Sequence, residues 1–332
     1  MFDVCLISNM FSRKGTGVGV YSEILYDGLK NHESLNVSKV ELGNSDFFKY
    51  LFNSKIKLHF DIPDAKIYHA LTPPFIHTGY KDKTIVTVHD LLEIQNSSLS
   101  PFMNNKKGRI IEPFCKFFDR RAVLKCKHII TSSEETKDKL NSLYNVNLDK
   151  ISVIRMGFTD NLSYRNKDDD TYNIGTLSSL IKRKRIDILI KSFLKADIEN
   201  SRLFIGGEGS EEYYLRKIAD GDDRIKFLGF ISDEELNDFY NNLDVFVFPT
   251  AYEGYGFPMI EAMKCEKPVV TLDNAHLLSD VRNRTHISSI NELSNDLKNK
   301  VFDCDIKSNL EFAKEHSIKI MVEETKKIYG EF

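Results

Sequence analysis

Short apolar runs alternate with longer amphipathic stretches from one end of this 332-residue chain to the other, a rhythm that restricts it to βα units on mainly parallel sheets. In the first half the runs that read as strands are Val4 to Ser8, Lys66 to Ala70, Thr84 to His89, His128 to Ser132 and Ile151 to Arg155. Helical stretches lie between them at Gly19 to Lys30, roughly Arg109 to Leu124, and Ser133 to Leu143. The last opens on Ser132 and Ser133 followed by Glu135 and Thr136, a capped start. A second series has strands at Tyr172 to Gly175, Arg202 to Ile205, Ile225 to Leu228, Asp244 to Phe248 and Pro268 to Leu272. Its helices are expected at Ile186 to Lys195, Glu211 to Ala219, Asp233 to Asn241 and Pro258 to Cys265.

Between the two series, Gly157 to Thr171 is polar, rich in turn formers and without apolar periodicity, so it reads as an interdomain linker. Length agrees, because about 150 residues per domain gives two. The expected fold class is α/β: two Rossmann-like domains, residues 1–160 and 161–315, facing each other across a cleft at the carboxyl ends of their sheets. Hydrophobic residues at 41% and charged residues at 29% are ordinary for a soluble globular protein. A formal net charge of −3 gives no case for a nucleic-acid partner. The five scattered cysteines contain no CxxC pair, which fits reduced cytoplasmic thiols better than disulfides or a zinc site. No run approaches the roughly 18 apolar residues of a membrane span. The opening Met-Phe-Asp-Val-Cys-Leu-Ile-Ser lacks a basic n-region and reads as a first strand rather than a signal peptide. A cytoplasmic location follows as the expectation.

The segment Phe246 to Met263 carries the clearest chemistry. An apolar strand runs into a loop where Gly254 and Gly256 let the backbone turn sharply, and Pro258 sits where a helix should begin. Amides at such a helix start form a cradle for phosphate. Glu253 precedes the glycines and Glu261 lies about one turn inside the helix, so two hydroxyl acceptors flank that cradle. A nucleotide-sugar suits this arrangement. Ile181-Lys-Arg-Lys-Arg185, after a strand, offers four consecutive cations to a pyrophosphate; alone it would read as a solvated surface run. Gly15-Thr-Gly-Val-Gly19 follows the first strand and either admits a bound group to the helix amides or is only a flexible βα turn. Ile205-Gly-Gly-Glu-Gly209 either walls a nucleotide pocket or is a simple turn, and Gly229-Phe-Ile-Ser232 is placed to touch the base. His89 ends a buried strand and points into the expected cleft, with a structural histidine as the alternative. His69, closing a neighbouring strand, is a weaker candidate. Asp168-Asp169-Asp170 and Asp303-Cys304-Asp305 contain DxD but lack a strand-end setting, so no metal site is expected there. Two basic-aromatic stretches, Phe47 to Phe60 and Phe114 to Lys127, have the composition of a peripheral membrane contact. An apolar stripe is more often the face packed on a sheet, which is the preferred reading for most of those aromatics.

Together these residues resemble the GT-B-fold retaining glycosyltransferases of family 4, the glycosyl transferases group 1. The likeness is strongest over Arg224 to Thr271, through Arg-Ile-Lys-Phe-Leu-Gly-Phe-Ile-Ser-Asp-Glu-Glu-Leu, the Phe246 to Met263 segment and Lys-Pro-Val-Val. Two glutamates with seven residues between them are its hallmark. Weaker echoes include Val-Thr-Val-His-Asp, Ile-Ile-Thr-Ser-Ser, Ile-Gly-Thr-Leu and a closing Met-Val-Glu-Glu-Thr-Lys-Lys-Ile-Tyr helix. The resemblance implies that Arg183 and Lys184 hold the donor diphosphate together with Gly256 and Phe257, and that Gly17 lies near the phosphates. It implies Glu261 on the ribose, Glu253 by the transferred sugar and His89 beside the reacting centre. Gly207 and Ile231 are the expected base pocket. The donor would be a nucleotide diphosphate sugar, the acceptor a glycan or lipid-linked sugar, and the chemistry metal-independent, without a cofactor. Residues 316–332 should form a helix that crosses back onto the first domain.

The sequence departs from the family pattern at Val20, where arginine or lysine is common, and at Glu266, where glycine precedes Lys-Pro-Val-Val. After Thr271 the usual Gly-Gly and Pro-Glu landmarks are missing. Two other functions fit the fold: a nucleotide-sugar 2-epimerase, against which the glutamate spacing argues, and a non-catalytic sugar-nucleotide or glycan-binding subunit.

Overall fold

The computed structural model describes residues 1–9, 11, 17–32, 34–41, 62–72, 81–89, 91, 117 and 120–332. The chain divides into two compact units, Met1–Asp160 with His316–Phe332, and Asn161–Glu315.

The first unit is built on β1 (Phe2–Ser8), β2 (Val37–Glu41), β3 (Ala65–Ala70), β4 (Thr84–Val88), β5 (His128–Thr131) and β6 (Ile151–Val153). These form one sheet in the order β2-β1-β3-β4-β5-β6, parallel at every pairing. All five residues of β4 and all four of β5 are buried, as expected for strands covered on both faces. Edge strand β2, absent from the sequence reading, is Val-Ser-Lys-Val-Glu. Its half-exposed polar positions hide the apolar run that marks its neighbours. Helix α1 (Gly17–Lys30) buries Tyr21, Leu25 and Leu29, one face at four-residue spacing. Helix α2 (Glu134–Tyr144) starts where the capping signal puts it, with the Thr136 N–H donating to Ser133 Oγ at 3.1 Å. Of the helix expected over 109–124, residues 109–116 lie outside the described ones, as do Gly15 and the Phe47 to Phe60 stretch.

The closing helix, Ile318–Gly330, belongs to this unit. Its Tyr329 hydroxyl meets His69 Nδ1 at 2.6 Å, and His69 Nε2 meets Thr87 Oγ1 at 2.8 Å. His69 is fully buried, and burial pulls its pKa down to about 3, so it is a neutral pin between β3, β4 and the closing helix. Its weaker candidacy as a reactive histidine gives way to this structural role.

The second unit has β7 (Tyr172–Leu177), β8 (Ser201–Gly206), β9 (Ile225–Gly229), β10 (Val245–Phe248), β11 (Val269–Leu272) and β12 (His286–Ser288). Their order is β12-β11-β10-β7-β8-β9, again all parallel. Helices α3 (Ile186–Ala196), α4 (Glu212–Ile218), α5 (Leu236–Asn241) and α6 (Phe257–Lys264) connect the strands up to β11. After it come α7 (Ser279–Arg282), α8 (Leu293–Asn299) and α9 (Ile306–Lys314). Leu189, Ile190 and Phe193 of α3 pack on Ile174, Leu203, Ile205, Val245 and Val247 of the sheet, all fully buried. Each strand read from an apolar run lies within two residues of its expected ends; three-residue β12, on the other edge, was not anticipated. Residues 161–171 form no regular element, yet α5 ties them down. Ser163 N–H donates to Asn237 Oδ1 (3.0 Å) and Arg165 N–H to Asn241 Oδ1 (2.6 Å), while Asn241 Nδ2 donates back to the Ser163 carbonyl (2.8 Å).

At the turn from α6 into β11, Glu266 has φ 55°, the left-handed region that a Cβ disfavours by about 1 kcal/mol or more. Glu266→Gly should therefore stabilise the protein by about 1 kcal/mol, read as a rise of roughly 2–4 °C in the thermal unfolding midpoint. An unchanged or lower midpoint would show that this turn stores no strain.

Candidate active site

Strand order in the second sheet reverses between β7 and β10, because β8 and β9 extend to one side of β7 while β10 to β12 extend to the other. Loops leaving the carboxyl ends of two such strands diverge, and ligands bind in the opening. The loop after β7 carries Arg183 and Lys184 in the short turn Lys182–Lys184; the loop after β10 carries Glu253. The two are joined by the Ala251 N–H to the Arg183 carbonyl at 2.9 Å.

Side chains complete the junction. Arg183 Nη1 donates to Glu253 Oε2 at 3.0 Å and to the Tyr252 carbonyl at 2.5 Å, and Lys184 Nζ pairs with the same Glu253 oxygen. The Arg183 guanidinium lies 4.7 Å from the Tyr252 ring centre and Lys184 Nζ 4.8 Å from that of Phe248. Burial alone would raise the Glu253 pKa, but Lys184 and Arg183 outweigh it and hold the carboxyl below its ordinary range. Burial lowers the Lys184 pKa against the pull of Glu253. The expected run of four cations is thus split. Arg183 and Lys184 turn onto Glu253, while Lys182 is exposed and Arg185 donates to Asn274 Oδ1 at 2.7 Å. That outward pair borders a shallow hollow with Asp187, Glu211 and Tyr214, whose lining includes neither Glu253 nor Arg183. Two cations against one carboxylate leave the cluster with one net positive charge.

The glycine turn meets its sequence logic with one correction. Gly256 caps α6 at φ 70°, a conformation glycine adopts freely. The helix begins at Phe257, so Pro258 is its second residue. Pro258 has no N–H, and the Met259 N–H is donated to the Gly256 carbonyl at 3.0 Å. The amide cradle expected at this helix start is therefore not extended past Gly256 and Phe257. Glu253 is held from the other side, its N–H donated to the His276 carbonyl at 3.0 Å.

Glu261 lies deeper in α6. It is buried, and its Oε2 accepts a hydrogen bond of 2.6 Å from the Tyr240 hydroxyl on α5. Burial pushes its pKa up to about 7; Tyr240 and Lys264 oppose that rise and Asp233 adds to it. Gly207, after β8, has φ 107°, and a Cβ there would fall 1.9 Å from the Ser178 carbonyl oxygen. Its N–H reaches the Gly229 carbonyl at 2.7 Å, and Ile231 packs over neighbouring Gly206, so the residues of the expected base pocket are adjacent.

His89 and Gly17 belong to the first unit. Gly17 is the exposed first residue of α1. His89 Nε2 donates to the Leu71 carbonyl at 3.0 Å, Nδ1 faces Met156 Sδ at 3.3 Å, and the Tyr21 ring stands edge-on at 4.8 Å. Burial lowers its pKa to about 4, so His89 is neutral at pH 7 with its proton on Nε2. Sequence reasoning missed Tyr240 and Tyr252. The first lies beside Phe239 in a mostly polar helical stretch and reads as its packed face, and only the buried carboxylate opposite gives its hydroxyl a purpose.

Residues 159–286 match the family model for glycosyl transferases group 1, and residues 31–162 match that for Glycosyltransferase Family 4. The chain is 30% identical to an uncharacterized glycosyltransferase of Methanocaldococcus jannaschii over 48% of its length, a match spanning 45% of that protein. It is 23% identical to the O-antigen chain mannosyltransferase RfbU of Salmonella typhimurium, with 79% of each chain covered. Among solved structures, sucrose-phosphate synthase of Thermosynechococcus elongatus superposes with a TM-score of 0.71 at 16% identity, covering 100% of this chain and 99% of that one. Anabaena HepE in complex with UDP-glucose gives 0.69 at 15% identity, with 100% of both chains covered. With its two parallel six-stranded sheets, the chain belongs to the group 1 glycosyltransferases and has their GT-B fold.

Proposed function

We propose that this protein is a retaining, metal-independent glycosyltransferase that moves a hexose from a nucleotide diphosphate sugar to a glycan or lipid-linked acceptor. The observation that carries the reading is the cluster at the strand reversal, where Arg183 and Lys184 share Glu253 and keep one net positive charge. A departing diphosphate is the group such a cluster stabilises, and charge-assisted hydrogen bonds gain strength where water is scarce. Arg183, Lys184 and the amides of Gly256 and Phe257 take the diphosphate, Glu261 the ribose hydroxyls, and Gly207 and Ile231 the base. Glu253 orients the transferred sugar. From the first unit, Gly17 serves the phosphates and His89 the reacting centre.

A front-face reaction breaks the bond from the anomeric carbon to the phosphate oxygen and forms the new bond on the same side, and the acceptor's proton passes to the leaving diphosphate. Such a path needs no strong protein base, which agrees with a His89 whose pKa lies near 4 and whose proton is given to the Leu71 carbonyl. HepE, solved with UDP-glucose, and RfbU, an O-antigen chain mannosyltransferase, support a nucleotide-sugar donor and a glycan acceptor.

Peripheral contact with the inner face of a membrane is a second element of the reading. Phe117 and Leu124 are 59% and 42% exposed, seven positions apart, with exposed Arg120, Arg121 and Lys127 around them. Ala122, Val123 and Cys126 take the packed face. Among the described residues no helix is long and apolar enough to cross a membrane.

In a thermal-shift screen of UDP, GDP, ADP, dTDP and their sugars, one family of ligands should stand out, because a ligand at 100 times its Kd adds about 2.7 kcal/mol. Glu261→Ala should abolish that shift; wild-type donor affinity and turnover in the variant would sink the assignment. Donor affinity should also rise with pH from about 6 to 8. Below a pKa near 7 Glu261 carries a proton and loses acceptor capacity, and above it the carboxylate takes both ribose hydroxyls. A flat profile would remove Glu261 from the ribose. Anionic vesicles at low salt should co-sediment the protein, and Phe117→Ser with Leu124→Ser should release it. Failure of wild type to sediment ends the membrane proposal.

A further inference from the structure

We propose that Tyr240 is a positioning residue for the donor: its buried hydroxyl holds Glu261 Oε2 and so presents the carboxylate's other oxygen to the ribose. The inference rests on the reading of Glu261 as the ribose ligand. A glutamate has three rotatable side-chain bonds, and a ligand pays for any rotamer it must select. Here the rotamer is chosen in advance. Tyr240 is fully buried, and its ring stands edge-on between Phe239 at 5.1 Å and Phe246 at 5.6 Å. The hydroxyl position is thereby set by α5 and β10 together. The helices are fixed to each other as well, since Cys265 Sγ at the end of α6 lies 3.7 Å from Asn237 Oδ1 and 3.8 Å from Asn241 Nδ2.

With Glu261 in its carboxylate form the direction of the bond is fixed. Burial and the facing carboxylate both push the Tyr240 pKa well above its ordinary value, so the phenol keeps its proton and donates it. At 2.6 Å the bond has the length of a charge-assisted one and favours the carboxylate form of Glu261. The other groups acting on that carboxyl are Asp233 before α5, which raises its pKa, and Lys264 on α6, which lowers it. The Cys265 thiol, pushed up to about 12 mainly by burial, stays neutral. Tyr240 is the one partner in this set that both orients the carboxylate and favours its charge.

Tyr240→Phe tests this, since it keeps the ring packing and removes one oxygen. With the nucleotide sugar that wild type turns over, donor KM at pH 7 should rise about tenfold while kcat stays within about twofold. The KM penalty should shrink by pH 9, because losing the bond shifts the titration of Glu261 upward. In a double-mutant cycle with Glu261→Gln the two losses should not add. A donor KM within about twofold of wild type would overturn the proposal. So would a penalty that is equal at every pH and accompanied by a matching fall in kcat and melting temperature, the pattern of mere packing damage. The ribose assignment is separable: if Glu261→Gln itself keeps the wild-type donor KM, that assignment fails first. If Glu261→Gln loses affinity and Tyr240→Phe does not, only the role of Tyr240 falls.

Discussion

Burying Glu253 with Arg183 and Lys184 takes three charges largely out of water, at a desolvation cost of several kcal/mol per ion unless partners offset it. The surroundings answer that demand. The Tyr252 carbonyl takes a second Arg183 bond, two aromatic faces lie under the cations, and Ala251 and Glu253 N–H groups fasten the loop to its neighbours. A cluster of this kind is poor evidence for stability, since apolar residues would hold the fold as well. What it supplies is charge already gathered and oriented, which would spare an anion binding there, as proposed, much of the reorganisation.

The two glutamates of the hallmark spacing sit in opposite electrostatic settings. Glu253 faces two cations and is held ionised, whereas Glu261 sits in the core beside a phenol with its pKa near 7. Eight positions, with the glycine turn among them, separate the carboxyl held below its ordinary range from the one raised above it. Such contrast between carboxyls is the usual means by which one site assigns them different work. His89 adds a third setting, neutral with its single proton committed to a backbone carbonyl.

Covered strands were legible because burial on both faces leaves an apolar run with no alternation, as in β4 and β10. Edge strands β2 and β12 were not, because Val-Ser-Lys-Val-Glu and three-residue His-Ile-Ser contain no apolar run, whereas edge strand β9 keeps Phe-Leu together. The short helices after β11 were lost for the same reason. Within the candidate site, residue types and spacing were readable from the Phe246 to Met263 segment and the basic run. Their partners were not. Nothing in Lys-Arg-Lys-Arg says which two side chains turn inward, and nothing local joins Tyr240 to Glu261 across 21 positions. Those pairings belong to tertiary packing, which brings loops from separate strands to one end of a sheet.

The His69–Tyr329 bond couples strands from the beginning of the chain to its last helix, with the whole of the second unit encoded between them. During synthesis the second unit has all its residues before the first has its final helix. Domains generally fold as units and in order of emergence. Until that helix is made, the earlier sheet keeps the His69 bond to Thr87 but lacks the Tyr329 hydroxyl on the other ring nitrogen. A released chain ending just before residue 318 would thus contain every residue of the second unit and lack the first unit's Tyr329.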